Sequence, residues 1–189
     1  MANKDRLPPG QHVVSRMVAM PPISGKYPNI EKEKWSLRAY GLVKNEKTWT
    51  WPEFLKLQQR DFKIDFHCVT SWSRFDQEFS GVAFEYIIKA VSPKPETKFV
   101  IFECYDGYST NVPLAELKEN VAFVATKMDG RDIKDKFGGP ARAVIPHLYA
   151  WKSAKFLKAV RFEELDEPGF WETRGYHNHG DPWKEERYS

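Results

Sequence analysis

Hydrophobic and polar positions alternate most cleanly over Asp61–Cys68. Phe62, Ile64, Phe66 and Cys68 fall on one side, and Lys63, Asp65 and His67 on the other. A period of two marks a strand with one buried face, so the pattern predicts a strand that delivers Cys68 at its inner end. Further strands are predicted over Ser36–Val43, Lys98–Cys104, Val121–Lys127, Ala141–Ile145 (ended by Pro146) and Phe156–Phe162. The period becomes helical over Val82–Val91, where Ala83, Tyr86, Ile87 and Ala90 share a face and Ser80 stands in a capping position. A shorter helix is predicted after Thr50, with Pro52 and Glu53 in its first turn, and a helical turn after Val112-Pro113-Leu114. Tyr105–Ser109 turns about Gly107, and Asp129-Gly130 is a hairpin turn. Short strands and short helices interleave irregularly, so the predicted class is α+β rather than a doubly wound parallel sheet.

The ends lack this patterning. Residues 1–30 hold Pro8, Pro9, Pro21, Pro22 and Pro28 and read as an extended arm lying over the domain. Residues 168–189 are rich in Trp, Tyr, His and acids and read as an irregular aromatic tail. No repeat or linker divides the chain, and 189 residues suit one domain, 1–189, with a full core. No apolar run approaches the roughly 20 residues of a membrane span. Met1–Arg6 leads into Pro8-Pro9-Gly10 rather than an apolar stretch, so no signal peptide is visible and a cytoplasmic location is expected. Two cysteines, Cys68 and Cys104, exclude a disulfide scaffold, a four-cysteine zinc ribbon and an iron–sulfur cluster. Aromatic residues make up 15% of the chain, which points to a dense core or to a pocket walled by rings.

Net charge is +3, too small to imply a nucleic-acid partner, and none is expected. Its distribution says more. Residues 127–161 carry nine basic and three acidic groups, and residues 162–189 three basic and eight acidic. Within Phe137–Arg161 stand Arg142, Lys152, Lys155, Lys158 and Arg161 with no acid, next to Gly138-Gly139-Pro140. Such a run suits a bound anion such as a phosphate. It equally suits a solvated basic face balanced by the acidic tail, and charge alone favours that plainer reading.

A lone thiol where a strand meets a loop can be a nucleophile, a soft metal ligand or a small buried hydrophobe, and Cys68 is open to all three. His12, His147, His177 and His179 could serve a cysteine hydrolase, but no nucleophile signature surrounds Cys68. His177-Asn178-His179 has metal-compatible spacing, but it is short and isolated and reads as a turn of the tail.

Three stretches carry a resemblance to a known family. They are His67-Cys68-Val69-Thr70-Ser71-Trp72-Ser73-Arg74, the run from Phe99 through Glu103-Cys104-Tyr105-Asp106-Gly107-Tyr108 to Leu114, and the run from Gly138 through Arg142 and Trp151 to Lys155. In order and spacing the sequence resembles the sulfite oxidase family of molybdopterin-dependent oxidoreductases. It is most similar to the short, single-domain prokaryotic members, relatives of the methionine-sulfoxide reductase catalytic subunit. The resemblance implies an α+β, sulfite-oxidase-type molybdopterin-binding fold of mixed sheets with short helices. It implies a molybdenum–molybdopterin cofactor, in the form without a nucleotide, and oxygen-atom transfer on a small substrate of sulfite, sulfoxide or N-oxide type.

By the same resemblance Cys68 is the thiolate ligand to molybdenum and Tyr108 the phenol beside the reacting oxygen. Arg142 grips the cofactor phosphate, Ser153, Ala154 and Lys155 line the same cradle, and Cys104 and Asp106 touch the pterin. Ser24 is the polar residue that the arm offers the cofactor. Trp72, Arg74, Tyr176 and His177 are candidate walls of the substrate pocket. Where sulfite oxidases carry an arginine pair this chain has Trp72 and Ser73, with Arg74 one step later, which weakens the case for sulfite. Phe137 stands where relatives carry His or Asn. The dimerisation and haem modules of larger members are missing, which implies a monomer that exchanges electrons with a separate carrier such as a cytochrome. The alternative is a catalytically degenerate domain of the same family that binds the cofactor or another anion.

Overall fold

The computed structural model describes residues 4–119 and 121–189; Met1–Asn3 of the arm and Asn120 lie outside the described residues. Eleven strands and three short α-helices occur among them, in the order β1 (His12–Val13), β2 (Ser36–Gly41), β3 (Lys47–Thr50), α1 (Trp51–Lys56), β4 (Gln59–His67), β5 (Trp72–Ala83), α2 (Phe84–Val91), β6 (Phe99–Cys104), β7 (Ser109–Pro113), α3 (Leu114–Glu119), β8 (Phe123–Met128), β9 (Arg131–Asp132), β10 (Arg142–Val144) and β11 (Leu157–Glu163). They form two mixed sheets. One has the order β3-β2-β11-β6-β7. The other runs β1-β5-β8-β10, with β4 also on β5 and β9 on β8. This is the α+β architecture that the interleaved pattern predicts.

Most predicted elements form where the alternation is unbroken. Thr50 opens α1, and the Glu53 carboxylate reaches back to accept from the Thr50 backbone N–H (2.8 Å) and hydroxyl (2.6 Å). Asp129 and Gly130 both have positive φ, at 51° and 72°, and close the β8–β9 hairpin as a turn with that backbone requires.

The start of α2 differs from expectation. Ser80 does not cap it: β5 runs on to Ala83, and the helix begins at Phe84. Phe79–Ala83 pairs with Phe123–Met128 of β8, and the Ser80 hydroxyl donates to Asp61 across the sheet at 2.7 Å. Gly81 allows this pairing, because a Cβ there would lie 2.1 Å from the Val124 carbonyl oxygen. The arm is also less free than its prolines suggest, since His12–Val13 adds a parallel strand to β5. The tail is irregular apart from single 3-10 turns at Glu172–Arg174 and Pro182–Lys184.

Two packed cores result. The larger joins α2 to the first sheet through Leu37, Phe54, Phe84, Ile87, Phe102, Val160 and Phe162. The indole N–H of buried Trp35 donates to the Leu157 carbonyl (2.9 Å), and its rings meet Trp51 and Phe54 edge-on. The second core holds Phe66, Cys68, Trp72, Phe79, Phe123, Tyr149 and Trp151. The functional cavity opens beside this second core.

Candidate functional site

The β4–β5 connection builds the site's first wall. The Cys68 amide donates to the Trp72 carbonyl (2.9 Å), and the Ser71 amide to the Cys68 carbonyl (3.1 Å). Ser71 sits at φ 69°, and this tight loop turns the chain from β4 into β5. Cys68 is a free, buried thiol, 3.2 Å from the Thr70 hydroxyl. Burial pushes its pKa up, while Thr70 and the charges of Arg187 and Lys155 pull it down. No histidine hydrogen bonds to this sulfur among the described residues, so a Cys–His hydrolase lacks its base.

Residues 137–155 build the second wall. Arg142 is buried and donates to three carbonyls: Phe137 (2.8 Å), Ser153 (2.7 Å) and Ala143 (3.3 Å). No carboxylate pairs with it among the described residues, and burial lowers its pKa to about 10. Lys155 donates to the Met20 carbonyl of the arm. Its pKa falls to about 8, first through burial and then through the charge of Arg142. The Ser153 hydroxyl accepts from the Ile145 amide at 2.9 Å, which leaves its hydrogen to donate.

These walls enclose a cavity of about 280 Å³. Cys68, Trp72, Asp106, Tyr108, Arg142, Ser153, Lys155 and Tyr176 all line it, so the structure brings these eight expected residues together. The others stand apart from it. Ser24 is exposed, with its hydroxyl turned to the Lys26 carbonyl, and it is Pro22 and Ile23 that reach the cavity. Cys104 is buried at the end of β6, and burial raises its thiol pKa strongly. Ala154 is buried, and its carbonyl accepts from the Ala143 amide. Arg74 lies opposite Phe66 in the β4–β5 ladder, outside the lining. His177 accepts from the His179 and Gly180 amides within the tail.

Tyr108 donates its one hydroxyl hydrogen to the Trp151 carbonyl (2.6 Å). In this arrangement it buttresses the wall rather than offering a free phenol. Sequence reasoning missed Met17, Trp151 and Trp171, which also line the cavity. It also missed the buried Lys152–Glu172 ion pair (2.6 Å) behind the wall, whose carboxylate accepts from Thr110 and the Trp151 indole. No periodic signal marks these residues, because non-local packing alone brings them to the site.

The lining has the chemistry to hold a phosphate-bearing group with a soft metal. It contains three cations, Lys136, Arg142 and Lys155, that pair with no carboxylate among the described residues, a hydroxyl free to donate and a thiol. The buried Trp72 indole N–H has no hydrogen-bond partner among the described residues. Asp106 accepts from the Tyr108 amide at 3.1 Å with one carboxylate oxygen. No helix among the described residues is long and apolar enough to cross a membrane.

Comparison with known proteins agrees with this chemistry. The family described as "Oxidoreductase molybdopterin binding domain" matches residues 24–171. The Bacillus subtilis (strain 168) protein named "Uncharacterized oxidoreductase YuiH" is 36% identical over 185 residues, covering 97% of this chain and 92% of that one. An Azospira oryzae protein named "Putative protein-methionine-sulfoxide reductase subunit YedZ1" is 27% identical over 147 residues, covering 78% of this chain and 56% of its own length. The Burkholderia mallei "Protein-methionine-sulfoxide reductase catalytic subunit MsrP" is 24% identical and covers 77% of this chain, which spans only 49% of it. The sulfane dehydrogenase SoxCD from Paracoccus pantotrophus shares the fold, with a TM-score of 0.65 at 17% identity over 72% of this chain and 40% of that one. The chain belongs to the oxidoreductase molybdopterin-binding domain family and is an oxidoreductase of the sulfite oxidase type.

Proposed function

We propose that this chain, acting through a nucleotide-free molybdenum–pterin group, reduces a small neutral oxide of the sulfoxide or N-oxide class and draws its electrons from a separate carrier. The observation that carries this reading is the shared lining: one thiol, three cations and seven aromatic side chains face a single cavity. When bound, the molybdenum group supplies the oxygen-atom transfer and the two electrons.

The chain's own residues hold and shield that group. Cys68 is the metal ligand, since a thiolate suits a soft site and the metal keeps it deprotonated. Arg142 and Lys155 neutralise the phosphate, with Ser153 as a further donor. An anion there also restores the Lys155 charge that Arg142 disfavours. Asp106 has an oxygen left to accept an N–H of the pterin. Trp72, Trp171 and Tyr176 exclude water, with Trp171 and Tyr176 stacked at 4.9 Å.

A neutral substrate is favoured because Arg74 stands outside the lining. The relatives named as protein-methionine-sulfoxide reductases favour a sulfoxide and the reductive direction. The test pairs metal analysis with a substrate screen. Purified protein should hold about one molybdenum per chain and should reduce a sulfoxide from an artificial donor faster than it oxidises sulfite. Cys68→Ser should lose metal and turnover while its melting temperature stays within a few degrees. Full activity with bound molybdenum in Cys68→Ser would falsify the ligand assignment. Bound molybdenum without turnover on any oxide would favour the degenerate binding domain.

A further inference from the structure

The cysteine loop is held from two directions by residues outside the family match of 24–171. From the arm, the Gln11 side-chain amide donates to the Cys68 carbonyl at 3.0 Å. The Gln11 oxygen accepts from the Ser73 hydroxyl (3.2 Å), which lies 2.8 Å from His67 Nδ1. From the tail, Arg187 donates to the Val69 carbonyl at 2.5 Å and to the Pro9 carbonyl at 3.4 Å. The Arg187 guanidinium also packs over the Tyr149 ring at 5.1 Å. The site is built for this approach. Gly10 has φ +67°, and a Cβ there would lie 2.9 Å from Glu185 Oε1 and 3.1 Å from Arg187 Nη2.

We propose that Gln11 and Arg187 are positioning residues for Cys68: arm and tail together clamp two successive carbonyls of its loop and set the direction in which the sulfur projects. The proposal rests on Cys68 being the metal ligand. A carbonyl held by a donor resists rotation of its peptide plane: Gln11 fixes the Cys68–Val69 plane, which sets how the Cys68 side chain leaves the loop, and Arg187 fixes the next plane and so backs the first. Arg187 in addition places a fixed positive charge near a sulfur that must carry negative charge. The tail, residues 168–189, holds only three bases and spends one of them on the loop. A shift of the thiolate against the metal changes their orbital overlap, so the clamp acts on the electronic state of the centre as well as on the rigidity of the loop.

The experiment uses the full chain, purified with its metal and also after metal removal. Arg187→Met, Gln11→Ala and the double variant are compared with Lys184→Met, which removes an exposed tail charge paired with Asp181. Hydrogen exchange of the amides of residues 68–72 is read in both forms, and the Mo(V) electron paramagnetic resonance spectrum in the loaded form. Arg187→Met should speed exchange of those amides about tenfold, and the double variant should speed it further. The core amides of β6 and β11 should stay unchanged. The Mo(V) spectrum should shift, and kcat should fall with KM nearly constant, while Lys184→Met changes none of these. Unchanged exchange and an unchanged spectrum in Arg187→Met would overturn the clamp, as would equal acceleration throughout the core. Arg187→Lys, which retains a cation and a donor, should give an intermediate rate and keeps the test available if the methionine variant does not fold. A wild-type chain that binds no molybdenum would sink the metal reading alone, since the exchange measurement on metal-free protein judges the clamp separately.

Discussion

The packing between α2 and strands β2, β11 and β6 differs sharply from the layer around the cavity. In the first, Leu37, Phe84, Ile87, Phe102, Val160 and Phe162 are all at most 1% exposed and carry no side-chain polar atom. In the second, His67, Ser73, Arg142, Lys152, Ser153 and Glu172 are buried beside the rings, and each needs a named partner. The first region needs volume, and the second needs a complete set of hydrogen bonds. A loss in the first leaves a void. A loss in the second leaves an orphaned charge, which a second substitution can neutralise.

The largest expected effect tests the apolar side. Phe102→Ala should cost about 4 kcal/mol, read as a fall in denaturation midpoint, and no polar substitution nearby should recover it. On the polar side, Lys152→Met should cost about 3 kcal/mol by stranding the Glu172 carboxylate. Adding Glu172→Gln should return much of that loss. If the double variant is no more stable than Lys152→Met, the two regions fail in the same way and the distinction falls.

The smallest effect is in pH. Burial holds His67 and His147 below the ordinary histidine pKa, so the unfolded chain takes up protons that the folded chain refuses. The stability this lends is complete above about pH 6.5 and drains away as pH falls through their lower folded values. The melting temperature should therefore decline between pH 7 and 5.5, and His67→Asn should flatten that decline. An unaltered slope in the variant would place the acid sensitivity elsewhere.

The same contrast explains what could be read in advance. Strands β2, β6 and β11 were legible because their buried positions are apolar. β5 was not, because Ser73 and Gln77 occupy buried positions on it and hide the alternation. Gln77 is content there because its amide donates to Asp129 at 2.7 Å, a partner 52 residues away. In the site, Cys68 and Arg142 stood out by type and motif. Glu172 was lost among the acids of the tail, and Lys152 among the bases of its run, because charge statistics cannot tell a buried pair from a solvated face. The arm residues that line the cavity follow no period, and only the completed fold brings them there.

The first sheet carries a further consequence in its strand order. β11 lies between β2 and β6, with Ala159 opposite Arg38 on one side and Val160 opposite Phe102 on the other. On the ribosome β2 can pair at once with β3, as β4 can with β5, but the other edge of β2 waits for a neighbour more than a hundred residues downstream. Without β11 the sheet is left as two separate ladders, β3-β2 and β6-β7. The cavity wall of residues 137–155 is tied to the start of this strand, the Leu157 amide donating to the Ala141 carbonyl at 2.9 Å. The pocket also draws Trp171 and Tyr176 from beyond the last strand, so its lining is complete only after both sheets have their strands.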